Sequence, residues 1–315
     1  MGLFAGAWLL INFAYEKLRY VRAGSDLVAL EKTEKIAAKA LFPGNEQFRV
    51  IALGNSKTLS SFKPEVFDAA LGGDTRSYNF GLPGEEKFLP VLEKILASGN
   101  RPTHLLLQIP WSPDQTEAQQ RPLIKDDNRI LNTLVPFRRF FRDLTLFVFQ
   151  SRKVGLRAEW TRVQSEVQSV DQNRGWYFIS AQSRYPNDQL PADFSLPSDN
   201  AKLQKGREFQ PSGKQFAQLE KLAEQYKFQV LMVPWAARTG EYAPAADPGT
   251  IVVDKDPYIA AVGPNYWLYS PTSFSDPVHM NKEGAEAYSK RLATFLRDTG
   301  ALTHAARFKD LAESK

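Results

Sequence analysis

The chain has 315 residues, 43% hydrophobic and 24% charged, with no cysteine and only three histidines, His104, His279 and His304. This composition excludes a disordered chain and a polytopic membrane protein, and the missing thiols exclude disulfide scaffolds, thiolate metal sites and a cysteine nucleophile. The net charge of +5 comes from one stretch, since residues 121–174 hold 11 Lys/Arg against 6 Asp/Glu and the remainder 29 of each; with no zinc-finger or RNP-like pattern, that speaks against a nucleic-acid partner.

Residues Gly2–Tyr15 are apolar except for Asn12. Fourteen residues fall short of the roughly 20 that cross a bilayer as a helix. The run is read as a membrane anchor that has lost its start, the alternative being an N-terminal helix packed on the domain. Lys17, Arg19 and Arg22 follow it, and the positive-inside rule would keep that flank cytoplasmic, in conflict with an exported domain. Residues 25–41 read as a helix that Ser25 could cap, with Leu27, Leu30 and Ile36 near a 3.6 period, and Pro43-Gly44 breaks it.

From Phe48 the pattern alternates. Phe48–Leu53 is a buried strand bounded by Gly54, and a helix from Pro64 is stopped by Gly72-Gly73. Arg76–Phe80 is a second strand, Phe88–Ala97 a second helix, and His104–Ile109 a third strand ending at Pro110. The same grammar resumes with a helix at Gly213–Tyr226, a strand at Phe228–Val233, a short strand at Tyr266–Tyr269 and a last helix at Glu283–Asp298. Strands alternating with helices imply an α/β fold, a three-layer α/β/α sandwich around a mainly parallel sheet. The middle, about 114–210, lacks the alternation and reads as a largely helical insertion. Its segment 136–153 is rich in aromatics and arginine. It either packs its aromatics on the domain with arginines outward, or lies on an anionic membrane surface or grips an acidic polymer. The organisation expected is therefore an anchor over 1–22, a helical linker over 23–46, and a domain over 47–315 carrying that insertion.

In α/β sheets, chemistry collects at the carboxyl ends of strands. Those ends carry Gly54-Asn55-Ser56, then Asn79-Phe80-Gly81-Leu82-Pro83-Gly84, then Pro110-Trp111-Ser112, and Asp276-Pro277-Val278-His279-Met280-Asn281 precedes the last helix. A serine hydroxyl is a poor nucleophile until a base removes its proton and a third group orients that base. The i, i+3 spacing of Asp276 and His279 suits the orienting contact, with Ser56 as nucleophile and nearby glycines opening backbone N–H groups to an oxyanion. His104 opens an apolar strand and His304 lies in a polar tail, so neither rivals His279. Trp111 and Trp235 either wall a pocket or pack in the core. The α/β-hydrolase elbow Gly-x-Ser-x-Gly does not fit, because residue 58 is Thr.

GNSKT at 54–58, NFGLPG at 79–84 and DPVHMN at 276–281 resemble, in order, three sequence blocks of the SGNH (GDSL-like) hydrolase superfamily, and within it DltD-like and alginate-acetylation-like cell-envelope acyl-transfer proteins. The resemblance spans about 48–112 and 213–298. It implies an SGNH/flavodoxin-like sheet, Ser56 as nucleophile, Asp276 and His279 as its partners, and Gly84 in the oxyanion hole beside the Ser56 N–H. It also implies a serine esterase or O-acyltransferase acting outside the cytoplasmic membrane on acyl esters of an envelope or extracellular polysaccharide, needing no metal or organic cofactor. A membrane-bound O-acyltransferase is the implied partner, with the membrane reached through the N-terminus. Two departures stand: the first block reads Gly-Asn-Ser, and the third, Gln108-Ile109-Pro110-Trp111-Ser112, lacks the asparagine that typical members use for the oxyanion, as the envelope branch also tends to. A non-catalytic glycan-binding or scaffold module of the same shape is the rival expectation.

Overall fold

The computed structural model describes residues 2–22, 24–44, 46–83, 88–108, 140–178, 184–199, 214–243, 251–252 and 258–302. The strands are β1 (Phe48–Gly54), β2 (Thr75–Gly81), β3 (His104–Gln108), β4 (Gln229–Met232), β5 (Trp235–Arg238), β6 (Ile251–Val252), β7 (Ile259–Val262) and β8 (Tyr266–Tyr269). The helices are α1 (Gly2–Lys17), α2 (Gly24–Leu30, continued by a π-helical stretch Glu31–Ile36), α3 (Ser56–Ser61), α4 (Pro64–Leu71), α5 (Phe88–Ala97), α6 (Phe140–Gln150), α7 (Leu156–Gln172), α8 (Lys214–Tyr226) and α9 (Lys282–Asp298).

One sheet runs in the order β2-β1-β3-β4-β7-β6, its first five strands parallel and β6 antiparallel at the edge. Side chains of a strand alternate between faces, so β1 sends Ile51 and Leu53 to one core and Val50 and Ala52 to the other. The first core is closed by α2, α5 and α8 through Val28, Leu92 and Ala223, the second by α4 and α9 through Phe67 and Leu292. Burial on both faces is why these strands read as continuous apolar runs. The chain is thus an α/β protein with a mainly parallel sheet between helical layers. The strand order reverses between β1 and β3, and at such a reversal the loops diverge and leave a crevice outside the carboxyl ends.

The second helix-forming run behaves as its sequence dictates. Pro64 opens α4 where its missing N–H costs nothing, and Gly72, at φ +74, ends it. Other elements differ from expectation. α2 begins at Gly24, so Ser25 lies inside the first turn instead of before it. β7, whose Ile-Ala-Ala-Val is short and half alanine, joins the main sheet unannounced by any strong strand signal. Tyr266–Tyr269 pairs in parallel with β5 in a separate two-stranded sheet. In the middle region the described residues are helical in α6 and α7, and α7 packs Val163 and Val167 on Leu27 of α2.

Candidate functional site

Ser56 is the first residue of α3, immediately past the carboxyl tip of β1. Asn55 caps the helix, its side chain accepting from the Lys57 N–H at 2.9 Å. The turn is possible because Gly54 has no side chain: a Cβ there would lie 2.0 Å from Thr58 Oγ1 and 2.6 Å from the Gln108 carbonyl oxygen. Ser56 is half-buried, and its N–H is one of the first-turn amides that a helix leaves without an intrahelical carbonyl.

The last block is built locally. The Asp276 carboxylate accepts from the backbone N–H groups of Val278 and His279, each at 2.8 Å, and its other oxygen lies 2.8 Å from His279 Nδ1. The loop is pinned at both ends, where the Ser275 N–H donates to the His279 carbonyl at 2.9 Å and buried Asn281 caps α9 by accepting from Gly284 N–H. Burial pushes the Asp276 carboxyl up, but the hydrogen bond and charge of His279 and the two backbone amides outweigh it and hold the group below its usual value. An ionised carboxylate on Nδ1 favours the tautomer with its proton there and leaves Nε2 free to accept. Nε2 is buried and without a hydrogen-bond partner, an uncommon state for a buried polar nitrogen.

α3, α4 and α9 hold the two ends together. Ser289 of α9 donates to the Ser61 carbonyl at 3.1 Å and accepts from the Lys63 N–H at 2.7 Å, and Arg297 donates to the Ala70 carbonyl at 3.0 Å. The two helical segments therefore run side by side in the same direction. Ser56, one turn before Ser61, and His279, just before α9, lie at the same carboxyl end of the sheet. The structure brings the three predicted side chains to that end and joins Asp276 to His279, while Ser56 Oγ makes no hydrogen bond to His279 Nε2. Gly84, Trp111 and His304 lie outside the described residues. His104 is buried at the start of β3, the far end of the sheet. Trp235, buried at the start of β5, packs with Tyr242 and Tyr266.

Polar side chains outside the predicted site hold α3. Asn79, fully buried in β2, donates to the carbonyls of Thr58, Leu59 and Phe62 at 2.8, 3.2 and 2.6 Å, and accepts from Gly81 N–H at 2.8 Å. Lys32, fully buried on the π-helical stretch, reaches Asn79 Oδ1 at 3.3 Å and the Gly81 carbonyl at 2.5 Å, and burial lowers its pKa well below the ordinary lysine value. Gln108, the last residue of β3, donates to Tyr288 Oη and to the Pro234 carbonyl and accepts from Ser61 Oγ. The sequence signal for Gln108 is an amide ending an apolar strand, which stays inside only if bonded. Two clefts among the described residues lie elsewhere, the larger, about 620 Å³, between Lys39, Asp68, Arg76 and Arg174. No group of acidic or histidine side chains among the described residues is arranged to hold a metal ion.

No protein-family profile, curated protein or solved structure matches this chain.

Proposed function

We propose that the chain is a serine esterase or O-acyltransferase of SGNH-like fold, acting on acyl esters of an envelope or extracellular polysaccharide. The observation that carries the reading is the Asp276–His279 pair, whose outer nitrogen is buried and unbonded at the end of the sheet where Ser56 opens α3. The strand order β2-β1-β3-β4-β7 also agrees with the flavodoxin-like arrangement of that superfamily, with Ser56 beside the reversal point.

In this reading Ser56 Oγ attacks the ester carbonyl as its proton passes to His279 Nε2. Asp276 keeps the ring oriented and stabilises the imidazolium. The N–H groups of Ser56 and Gly84 hold the oxyanion. Collapse of the tetrahedral intermediate expels the alkoxide, which takes the proton from His279 and leaves an acyl-Ser56. Water or a sugar hydroxyl then gives up its proton to His279 and attacks the acyl carbonyl, releasing acid or acylated sugar and restoring Ser56. Nucleophile–base hydrogen bonds are often long without substrate and tighten in the complex.

The test is labelling of the purified chain with a fluorophosphonate, which traps an activated serine, alongside p-nitrophenyl acetate turnover. Both signals are expected in the wild type and lost in Ser56→Ala and His279→Gln. Folded wild-type protein that neither labels nor turns over would replace this reading with the glycan-binding or scaffold module.

A further inference from the structure

The described apolar surface is concentrated on one helical layer. Leu9, Leu10 and Phe13 of α1 are 62, 72 and 64% exposed, and Phe141 and Phe149 of α6 are 65 and 60% exposed, with Val154 and Leu156 in the turn to α7. The two helices adjoin, since Ile11 and Ala14 pack with Phe140, Leu144 and Phe147. On α6, Phe140, Asp143 and Phe147 face inward while Phe141, Val148 and Phe149 form a separate outward stripe. Half of the aromatic segment thus packs on the protein and half does not. Exposed apolar surface on this scale marks an interaction site.

Basic side chains border it. Arg152, Lys153 and Arg157 alternate with Val154 and Leu156 on the exposed turn, and Lys17 ends α1. None of the four has a carboxylate partner among the described residues, in contrast to Arg142 and Arg162, which are tied to Asp143 and to Glu159 and Glu166. Arg152 lies 3.9 Å over the Phe149 ring and Lys17 5.5 Å over Phe13, each a cation beside an apolar anchor. Protein–protein interface cores are depleted in lysine. Cations interleaved with outward Phe, Leu and Val on a helix pair suit hydrocarbon flanked by anionic headgroups. No helix among the described residues is long and apolar enough to cross a membrane.

The layer also has a definite place. Lys32 meets the carboxyl tip of β2, while Leu41 N–H donates to Asn100 at the opposite end of the sheet, so the chain before Lys32 extends past the carboxyl tips. α7 runs alongside in the same direction, Val163 against Leu27 and Asp171 against Lys39, which puts its start and α6 past the same end. We infer that the outward faces of α1, α6 and the α6–α7 turn form a docking surface for an anionic lipid membrane. The surface stands on its own observations. Taken with the proposed function, it turns the end of the sheet that bears Ser56 and His279 toward the bilayer.

The experiment is co-sedimentation of the purified full chain with phosphatidylcholine vesicles, with and without phosphatidylglycerol. It compares wild type with Arg152→Glu/Lys153→Glu/Arg157→Glu and with Phe141→Ser/Phe149→Ser, all at exposed positions whose folding is checked by thermal melts. Binding is expected only with phosphatidylglycerol, weakened about a hundredfold or more by the charge reversals and comparably by the serine pair. Absence of wild-type binding, equal binding to neutral vesicles, or undiminished binding by the Phe141/Phe149 variant overturns the inference. So does light scattering that shows a stable dimer dissolved by the Phe141/Phe149 substitutions, which would make the surface a contact between copies. Vesicle binding is read without reference to labelling of Ser56, so either conclusion can fail alone.

Discussion

Replacing Asn79 by leucine tests whether one buried amide holds the serine-bearing helix in place. Leucine keeps the branching at Cγ but its two methyl groups are bulkier, so the loss of the polar contacts comes with a packing cost of its own. Thr58 O keeps the Phe62 N–H at 3.1 Å and Leu59 O keeps the Tyr177 N–H at 3.5 Å. The Phe62 carbonyl loses its donor and the Gly81 amide its acceptor. That amide cannot turn to β1, because in this strand Asn79 N–H, two residues back, also points away from β1 toward the Arg174 carbonyl. Lys32 Nζ keeps only the Gly81 carbonyl. Two orphaned buried groups at about 1–3 kcal/mol each, with the lost net contribution of the remaining bonds, give a destabilisation of about 3–6 kcal/mol. That is a large part of the roughly 5–15 kcal/mol of a typical domain. Urea denaturation at neutral pH measures it. Asn79→Asp sharpens the test: it places a carboxylate, which cannot donate, against three carbonyl oxygens, so it should destabilise at least as much although Lys32 is adjacent. A loss below about 1 kcal/mol for the leucine variant, or an aspartate variant as stable as wild type, would refute the assignment of Asn79 as the clamp on α3.

Four further outcomes are expected. A Cβ at residue 81 would sit 2.4 Å from the Leu59 backbone nitrogen, so Gly81→Ala must displace α3 and should cost more than Gly72→Ala, which is strained at φ +74 but meets nothing within 4 Å; paired urea melts compare them. Asp276→Asn removes the acceptor from His279 Nδ1, and fluorophosphonate labelling should slow by about a thousandfold or more. Because the folded Asp276 pKa is depressed, the stability it contributes is present above the ordinary carboxylate range and lost as pH falls through the folded pKa, so the wild type should lose its advantage over that variant in acid. Burial lowers the Lys32 pKa in the folded state, so the unfolded chain binds more protons and the stability linked to Lys32 rises with pH toward the unfolded value near about 10.4. Between neutral pH and pH of about 9.5 the wild type should gain stability relative to Lys32→Met, and identical slopes in urea melts would remove Lys32 as the cause.

Much of the sheet was legible because each strand between two helical layers is buried on both faces and must be apolar throughout. β1, β3 and β4 announce themselves this way, and α4 and α9 through helical periodicity, with Pro64 at the start of α4. β7 was not legible, because two alanines carry little strand preference and only its neighbour β4 makes them a strand. Tyr266–Tyr269 was legible as a strand but not in its partner, since a short run of aromatic and apolar residues does not say which strand it pairs with. The π-helical stretch of Glu31–Ile36 carries no mark in the sequence that separates it from an ordinary helix.

The Asp276–His279 contact spans three residues, so backbone geometry and a local carboxylate suffice to form it, and the sequence alone determined it. The same holds for the turn at Gly54-Asn55-Ser56, where a residue without Cβ and a capping amide leave few alternatives. Which end of α9 lies beside α3, and that Lys32, Asn79 and Gln108 turn inward to fasten that helix, was decided only by tertiary structure. Each of those amides and the ammonium is stable inside solely because a distant segment supplies its hydrogen-bond partners, and a one-dimensional string carries no record of which distant segment that is.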